Sequence, residues 1–361
     1  MLRINSQTPT ATTYVVKDVS MCSLSCLLIK MGELRRDPVV GRWVIVETDH
    51  PKKPSDFNYE QNIVTGGLCP FCYGNEFMTP PEISCFRDAG TGANAAGWQV
   101  RVVANKFPAL QIEGDLDRRG LGIYDFSNGI GAHEVVIESP YHNKDIPDLL
   151  DPEIQSYLKM CCVRMADLKK DSRFKYIMVF RNYGSAAGAS LEHPHTQLVA
   201  LPMVPKNALE EIHGARDYYN YRERCIFCDI IRQEIQDKIR IILENKYFIS
   251  FCPFVSRFPF GIMIMPKQHS GCFCDASEDE ILALSQILKE TLTKLKKVFV
   301  NLSYNYIIHS APINGESEAE YYHWHLEIMP KLMQVAGFEW GTGFYLDPTT
   351  PELAAQYLKS M

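Results

Sequence analysis

The sequence lacks a strong excess of charge of either sign and lacks any long apolar run. Its formal net charge is −6, from 37 basic and 43 acidic residues. A chain whose main partner is DNA or RNA more often carries a basic balance. No stretch approaches the roughly 20 apolar residues that cross a bilayer. The short apolar piece at 22–29 has no basic region before it, so it does not read as a secretory signal. These absences predict a cytoplasmic protein with neither a nucleic-acid nor a membrane partner. Residues 1–31, rich in Ser and Thr, are expected to form a disordered leader, with Met31 as an alternative start.

Cysteine, by contrast, is plentiful, with 12 in 361 residues. In a reducing compartment, close Cys pairs more often hold metal than form disulfides. Cys22, Cys26, Cys85, Cys161, Cys162 and Cys252 have no ligand-like neighbours and read as core or surface thiols. Cys272 and Cys274 also read as structural.

The remaining cysteines belong to an internal repeat. Cys69-Pro70-Phe71-Cys72 returns as Cys225-Ile226-Phe227-Cys228. Asn105-Lys106-Phe107 returns as Asn245-Lys246-Tyr247, each time after a strand-like run. A strand ending in Pro140 leads to His142, and another ending in Pro266 leads to His269. A helical stretch follows in each half, roughly 152–170 and 277–299. Each half then closes on a strand and a H-x-H: His193-Pro194-His195, and His323-Trp324-His325. The same landmarks in the same order point to duplication. The halves divide near Pro205, giving domains 32–205 and 206–361. Strands and helices do not alternate strictly. The expected fold is therefore α+β, with each half a largely antiparallel sheet and a long helix.

A C-x-x-C offers thiolates from one tight turn and leaves tetrahedral positions for histidines. The repeat selects Cys69, Cys72, His142 and His193 in the first half. In the second it selects Cys225, Cys228, His269 and His323, with His309 and His325 as nearby competitors. Thiolate with imidazole favours zinc in a closed structural site, so zinc is expected at both places.

In an extended strand His193, His195 and Gln197 share one face. With His193 committed to metal, His195 and Gln197 are left free beside it. The loop 181–190 upstream, with Asn182, Gly188 and Ser190, is built of small residues that can turn main-chain N–H groups toward a phosphate. An isolated histidine is most often a packed core residue. One that follows such a loop and adjoins a ligand-like histidine reads as a nucleophile.

H-P-H-x-Q after such a loop resembles the galactose-1-phosphate uridylyltransferase family, a branch of the histidine-triad superfamily. The resemblance runs from about 35 to 350. It takes in Arg35-Arg36-Asp37-Pro38, the C-x-x-C with Gly74-Asn75, Ser139-Pro140-Tyr141-His142 and His309-Ser310-Ala311-Pro312. It implies tandem histidine-triad-like domains. It also implies that His195 attacks the α-phosphorus of a UDP-hexose, releases hexose 1-phosphate and hands UMP to a second hexose 1-phosphate such as galactose 1-phosphate. By the same resemblance Gln197 binds the phosphoryl oxygens, and Asn182 and Ser190 contact phosphate. Asn105 and Phe107 lie at the nucleotide, while Phe338 and Glu339 hold hexose hydroxyls in the partner subunit's site of a homodimer.

Departures from that pattern carry information. Lys52 and Lys53 stand where many relatives have arginines, keeping charge without the bidentate fork. Met333 and Gln334 stand where a lysine is usual. Gly337-Phe338-Glu339-Trp340-Gly341-Thr342-Gly343 looks closer to a plant-type branch that transfers AMP from ADP-glucose to phosphate. The leading expectation is uridylyl transfer from UDP-glucose, with ADP-glucose phosphorolysis second. A non-catalytic, zinc-stapled nucleotide-binding protein is the reading from another class. The second H-x-H, where Trp324 replaces Pro194, is expected to keep structure without catalysis. Some relatives bind iron or zinc there through a glutamate, for which Glu210 and Glu211 are the candidates.

Overall fold

A computed structural model describes residues 32–313 and 318–361. The expected leader lies outside them, as do Cys22, Cys26 and residues 314–317 of the loop before the second H-x-H.

The first half supplies strands β1 (Glu82–Arg87), β2 (Trp98–Ala104), β3 (Ala132–Ile137), β4 (Tyr176–Tyr183) and β5 (His195–Leu201). The second supplies β6 (Ile241–Glu244), β7 (Phe248–Phe251), β8 (Ile262–Pro266), β9 (Tyr304–His309) and β10 (His325–Pro330). All join one ten-stranded sheet, in the order β1-β2-β3-β5-β4-β9-β10-β8-β7-β6. Read from its outer edge, each half has the same strand order. The pairings are antiparallel, including the central pair of β4 and β9, where Tyr304 faces Tyr183 and Ile308 faces Val179.

Two long helices cover one face: α1 (Asp151–Leu168) and α4 (Glu278–Val298), close to the stretches expected from periodicity. Between them in the chain come α2 (Lys206–Arg222) and α3 (Ile226–Asp237). The α4 helix starts where Ser277 and Glu280 cap each other's main-chain N–H groups. Its Ile281, Leu284, Leu288, Leu292 and Leu295 recur at helical spacing and are buried. In β5 the alternation separates two roles. Leu198 and Ala200 join the core shared with α1, and Thr196 lies 3.1 Å from the Tyr157 hydroxyl of α1. His195 and Gln197 face the other way and line a cavity. That second face is covered by the 69–79 loop in the first half and by α2 and α3 in the second.

A small separate sheet joins Glu33–Arg36 and Trp43–Val46 to Tyr345–Asp347. The opening segment thus packs on the far end of the chain, tied by Arg35 to Glu352 at 3.0 Å. Gly214 of α2 is needed here, because a Cβ would sit 1.8 Å from the Val39 carbonyl oxygen. Among the described residues no helix is long and apolar enough to cross a membrane. Cys161 and Cys252 are buried, and Cys85 and Cys162 half-buried, as expected of core thiols.

Candidate active site and metal clusters

The ligand sets chosen by the repeat come together in both halves. In each, the four donor atoms lie within 4.8 Å of one another. Cys72 Sγ is 3.3 Å from His142 Nδ1 and 3.6 Å from His193 Nδ1. Cys228 Sγ is 3.5 Å from both His269 Nδ1 and His323 Nδ1. A tetrahedral ion at Zn–S ~2.3 Å and Zn–N ~2.05 Å places its sulfur and nitrogen ligands about 3.5 Å apart, so both sets fit zinc.

The outer contacts agree. His193 Nε2 donates to the Ser139 carbonyl at 2.8 Å, and His323 Nε2 donates to Pro266 at 2.9 Å. His269 Nε2 donates to Ala319 at 2.8 Å. These carbonyls fix the tautomer that leaves each Nδ1 lone pair facing the thiolates. In the first cluster Gly74 has a φ of +86°, and the Asn75 side chain donates to the Cys69 carbonyl at 2.8 Å, closing the turn. In the second, the pair occupies the start of α3, with Cys225 at its N-cap.

One expectation is corrected. His193 does not share the strand with His195, because β5 begins at His195 and His193 sits in the bend before it. His193 and His195 are separated by this bend rather than by strand alternation. They remain coupled, since His195 Nδ1 lies 2.9 Å from the His193 carbonyl oxygen. A carbonyl only accepts, so Nδ1 carries the proton and Nε2 keeps its lone pair. Burial holds His195 below the ordinary histidine range, which keeps the ring neutral. The Phe71 ring packs edge-on against it with centroids 5.4 Å apart.

His195 and Gln197 line a cavity of about 420 Å³, with Asn105, Phe107 and Ser190 on its wall. Asn182, Gly188 and Lys53 are not part of this wall. The Asn182 side chain instead accepts from Asn305 at 2.8 Å. The loop before β5 also differs from expectation. The N–H groups of Ala187, Gly188 and Ala189 bond to carbonyls of Gly184 and Ser185 within the loop, so they are not turned toward a phosphate. Lys53 is exposed at the start of a short 3-10 turn. Phe338 and Glu339 lie on the short helix Gly337–Thr342, and within one chain they do not join the cavity wall.

Sequence reasoning missed His133. It stands behind Gln197, with Nε2 2.8 Å from Gln197 Oε1. The signal was present in β3, where His133, Val135 and Ile137 alternate on the face that β5 turns to the cavity. It also missed the buried ion network beneath His195. Arg181 contacts Glu138 and Asp145, each at 2.8 Å, and donates to Tyr304 of β9 at 2.5 Å.

In the second half His325 repeats the pose of His195, its Nδ1 donating to the His323 carbonyl at 3.0 Å. Its surroundings differ. His309 stacks on it with ring centroids 4.6 Å apart, and Glu211 Oε2 lies 4.0 Å from its Nε2. His309 bonds Glu211 at 3.2 Å and approaches Glu327 at 3.7 Å. Burial opposes charge on His309, but Glu211 beside it prevails and lifts its pKa to about 10. His309 and His325 therefore belong to a cluster with Glu211 and leave the second Cys/His set complete without them. Glu210 points elsewhere, to Arg42 at 3.5 Å.

A family model described as galactose-1-phosphate uridyl transferase, N-terminal domain, matches residues 28–205. A second, a domain of unknown function (DUF4921), matches 147–360. An ADP-glucose phosphorylase of Arabidopsis thaliana is 37% identical, covering 91% of this chain and 93% of the relative. A galactose-1-phosphate uridylyltransferase of Thermotoga maritima is 29% identical over 91% of this chain and 98% of the relative. The crystal structure of an ADP-glucose phosphorylase from Arabidopsis thaliana with bound ADP-glucose matches with a TM-score of 0.76. It is 33% identical and covers 92% of this chain and 99% of that one.

Proposed function

Because the chain belongs to the galactose-1-phosphate uridylyltransferase family of nucleotidyltransferases, we propose that it moves a nucleoside monophosphate from a nucleotide sugar to a phosphate acceptor by way of His195. The observation that carries this reading is the free Nε2 of a neutral, buried His195, held by a main-chain carbonyl and opening on a cavity shared with Gln197.

In the first step Nε2 forms a bond to the α-phosphorus, and the bond from that phosphorus to the bridging oxygen breaks. Hexose 1-phosphate leaves with the electron pair. The positive charge that builds on the ring is stabilised through Nδ1–H by the His193 carbonyl. In the second step an acceptor phosphate oxygen attacks the same phosphorus, the P–N bond breaks, and His195 returns neutral. Gln197 is an amide and cannot protonate a leaving group. Hexose 1-phosphate needs no proton to leave, so this site suits transfer between phosphates.

ADP-glucose with inorganic phosphate is the first pair to test, on the 37% identity to a phosphorylase of that nucleotide sugar. UDP-glucose with galactose 1-phosphate is the second, on the family model and the 29% relative. The reading extends to zinc in both Cys/His clusters, to two duplicated units dividing near Pro205, and to a homodimer in which Phe338 and Glu339 serve the partner's cavity. It also includes a location in the reducing cytoplasm.

Each donor–acceptor pair should be incubated with the protein and the nucleotides separated. ADP formed from ADP-glucose and phosphate supports the first reading, and UDP-galactose the second. Full turnover by His195→Ala in either assay rules out the covalent route.

A further inference from the structure

We infer that His133 is a positioning residue that sets which end of the Gln197 amide faces the reacting phosphorus. The inference rests on the proposed role of the same site.

His133 does not line the cavity; it stands behind Gln197 on the neighbouring strand. Its Nδ1 lies 3.3 Å from the main-chain nitrogen of Ala109 and its Nε2 lies 2.8 Å from Gln197 Oε1. A main-chain N–H can only donate and cannot be turned over. Nδ1 must therefore accept, and in a neutral ring Nε2 then carries the proton. Among the described residues that proton has one acceptor in reach, Gln197 Oε1. With its oxygen held, the Gln197 amide presents its NH2 end to the cavity, where the oxygens of a nucleotidyl group on His195 accept.

Asn105 Nδ2 also lies 3.0 Å from His133 Nε2, donor against donor, while its Oδ1 accepts from Phe107 N at 3.0 Å. The better acceptor for that NH2 is a nucleotide in the cavity that Asn105 lines. The main chain completes the link, because Asn105 N donates to the His133 carbonyl at 2.8 Å. One side chain thus braces the residue at the phosphoryl group while its main chain braces the residue at the nucleotide.

The reason a brace matters is chemical. An amide can turn over, and a reversed Gln197 would point its oxygen at anionic phosphoryl oxygens. A pre-set NH2 stabilises charge that develops at the phosphorus without reorganising during the step.

The test has an arm that needs no turnover. Nitrogen NMR of the full-length protein with ring-labelled histidine should show His133 as the Nε2–H tautomer; the Nδ1–H tautomer would overturn the inference. In kinetics, His133→Ala should lower kcat about tenfold with KM changed less than about twofold. His133→Gln keeps a donor near Nε2 and should recover to within about threefold of wild type. In a Gln197→Ala background, His133→Ala should cost nothing further. Losses that multiply, or an effect on KM alone, would refute the positioning role. A wild-type protein inactive on every nucleotide sugar would sink the functional reading, while the tautomer would still decide whether His133 holds Gln197.

Discussion

The two halves place a histidine in the same pose and surround it oppositely. His195 and His325 each donate Nδ1–H to the carbonyl of a metal-type histidine two residues earlier. Beyond that, His195 opens on a cavity whose wall carries the amides of Gln197 and Asn105 and one cation, Lys106, with no carboxylate among the described residues. His325 meets a stacked imidazole and the Glu211 carboxylate, and Glu327 stands where Gln197 stands in the first half. The first cavity wall thus sets amides and a cation near its histidine, whereas the second sets two carboxylates, Glu211 and Glu327, with the cations that pair them. The shared scaffold supplies the pose. The residue two places on and the neighbours across the cavity are where the two halves differ.

The sharpest way to break this comparison is to exchange the histidines' fates. His195→Ala should lower nucleotidyl transfer about 10,000-fold or more, whereas His325→Ala should leave turnover within about threefold, measured in the same steady-state assay. Comparable losses in both variants would mean that the second half also reacts. Next, Gln197→Glu gives the first half the second half's carboxylate and should reduce kcat about 100-fold, with the fold kept by circular dichroism.

The metal clusters sharpen the comparison further. If the two Cys/His clusters hold zinc as proposed, Cys72→Ser should lose one of the two ions and reduce activity about tenfold, because the His193 ring would hold the ion while its carbonyl meets His195. Cys228→Ser should lose the other ion and lower the melting temperature with activity per folded molecule kept within about twofold. Metal analysis beside calorimetry reads both.

The smallest expected effect is on pH dependence. The folded value of His309, about 10, lies above its ordinary 6.5. Its ion pairs therefore stabilise fully below pH 6.5, and that contribution is lost as pH rises through 10. The melting-temperature difference between wild type and His309→Gln should be widest near pH ~6 and shrink toward pH ~10. A difference that stays flat would remove the ion pairs from the description of the second half.

Much of this was legible because it is covalent order. The C-x-x-C turns and the distant histidines were fixed by the repeat, and the long helices by their apolar spacing. In the first-half loop small residues permit exposed N–H groups without requiring them. Whether 187–189 bond outward or back to Gly184 and Ser185 depends on the turn actually formed. His133 was passed over for a different reason. A histidine inside an apolar strand looks like any packed one until its diagonal neighbour on the adjacent strand, here Gln197, is known. Glu211 could be named but not separated from Glu210, since only the helix rotation decides that one meets His309 and the other Arg42.

The antiparallel seam between β4 and β9 has a consequence for how such a chain could arise. Parted there, each half would expose a long unpaired edge strand and cut the bond from Arg181 to Tyr304. The same edge of each half meets its counterpart across the seam, which is the contact two identical ancestral subunits would make about a twofold axis. A chain that arose by such a fusion would carry that subunit contact inside itself. The reactive centre of one such subunit would then be free to change, since its remaining task would be to hold the other's edge in place.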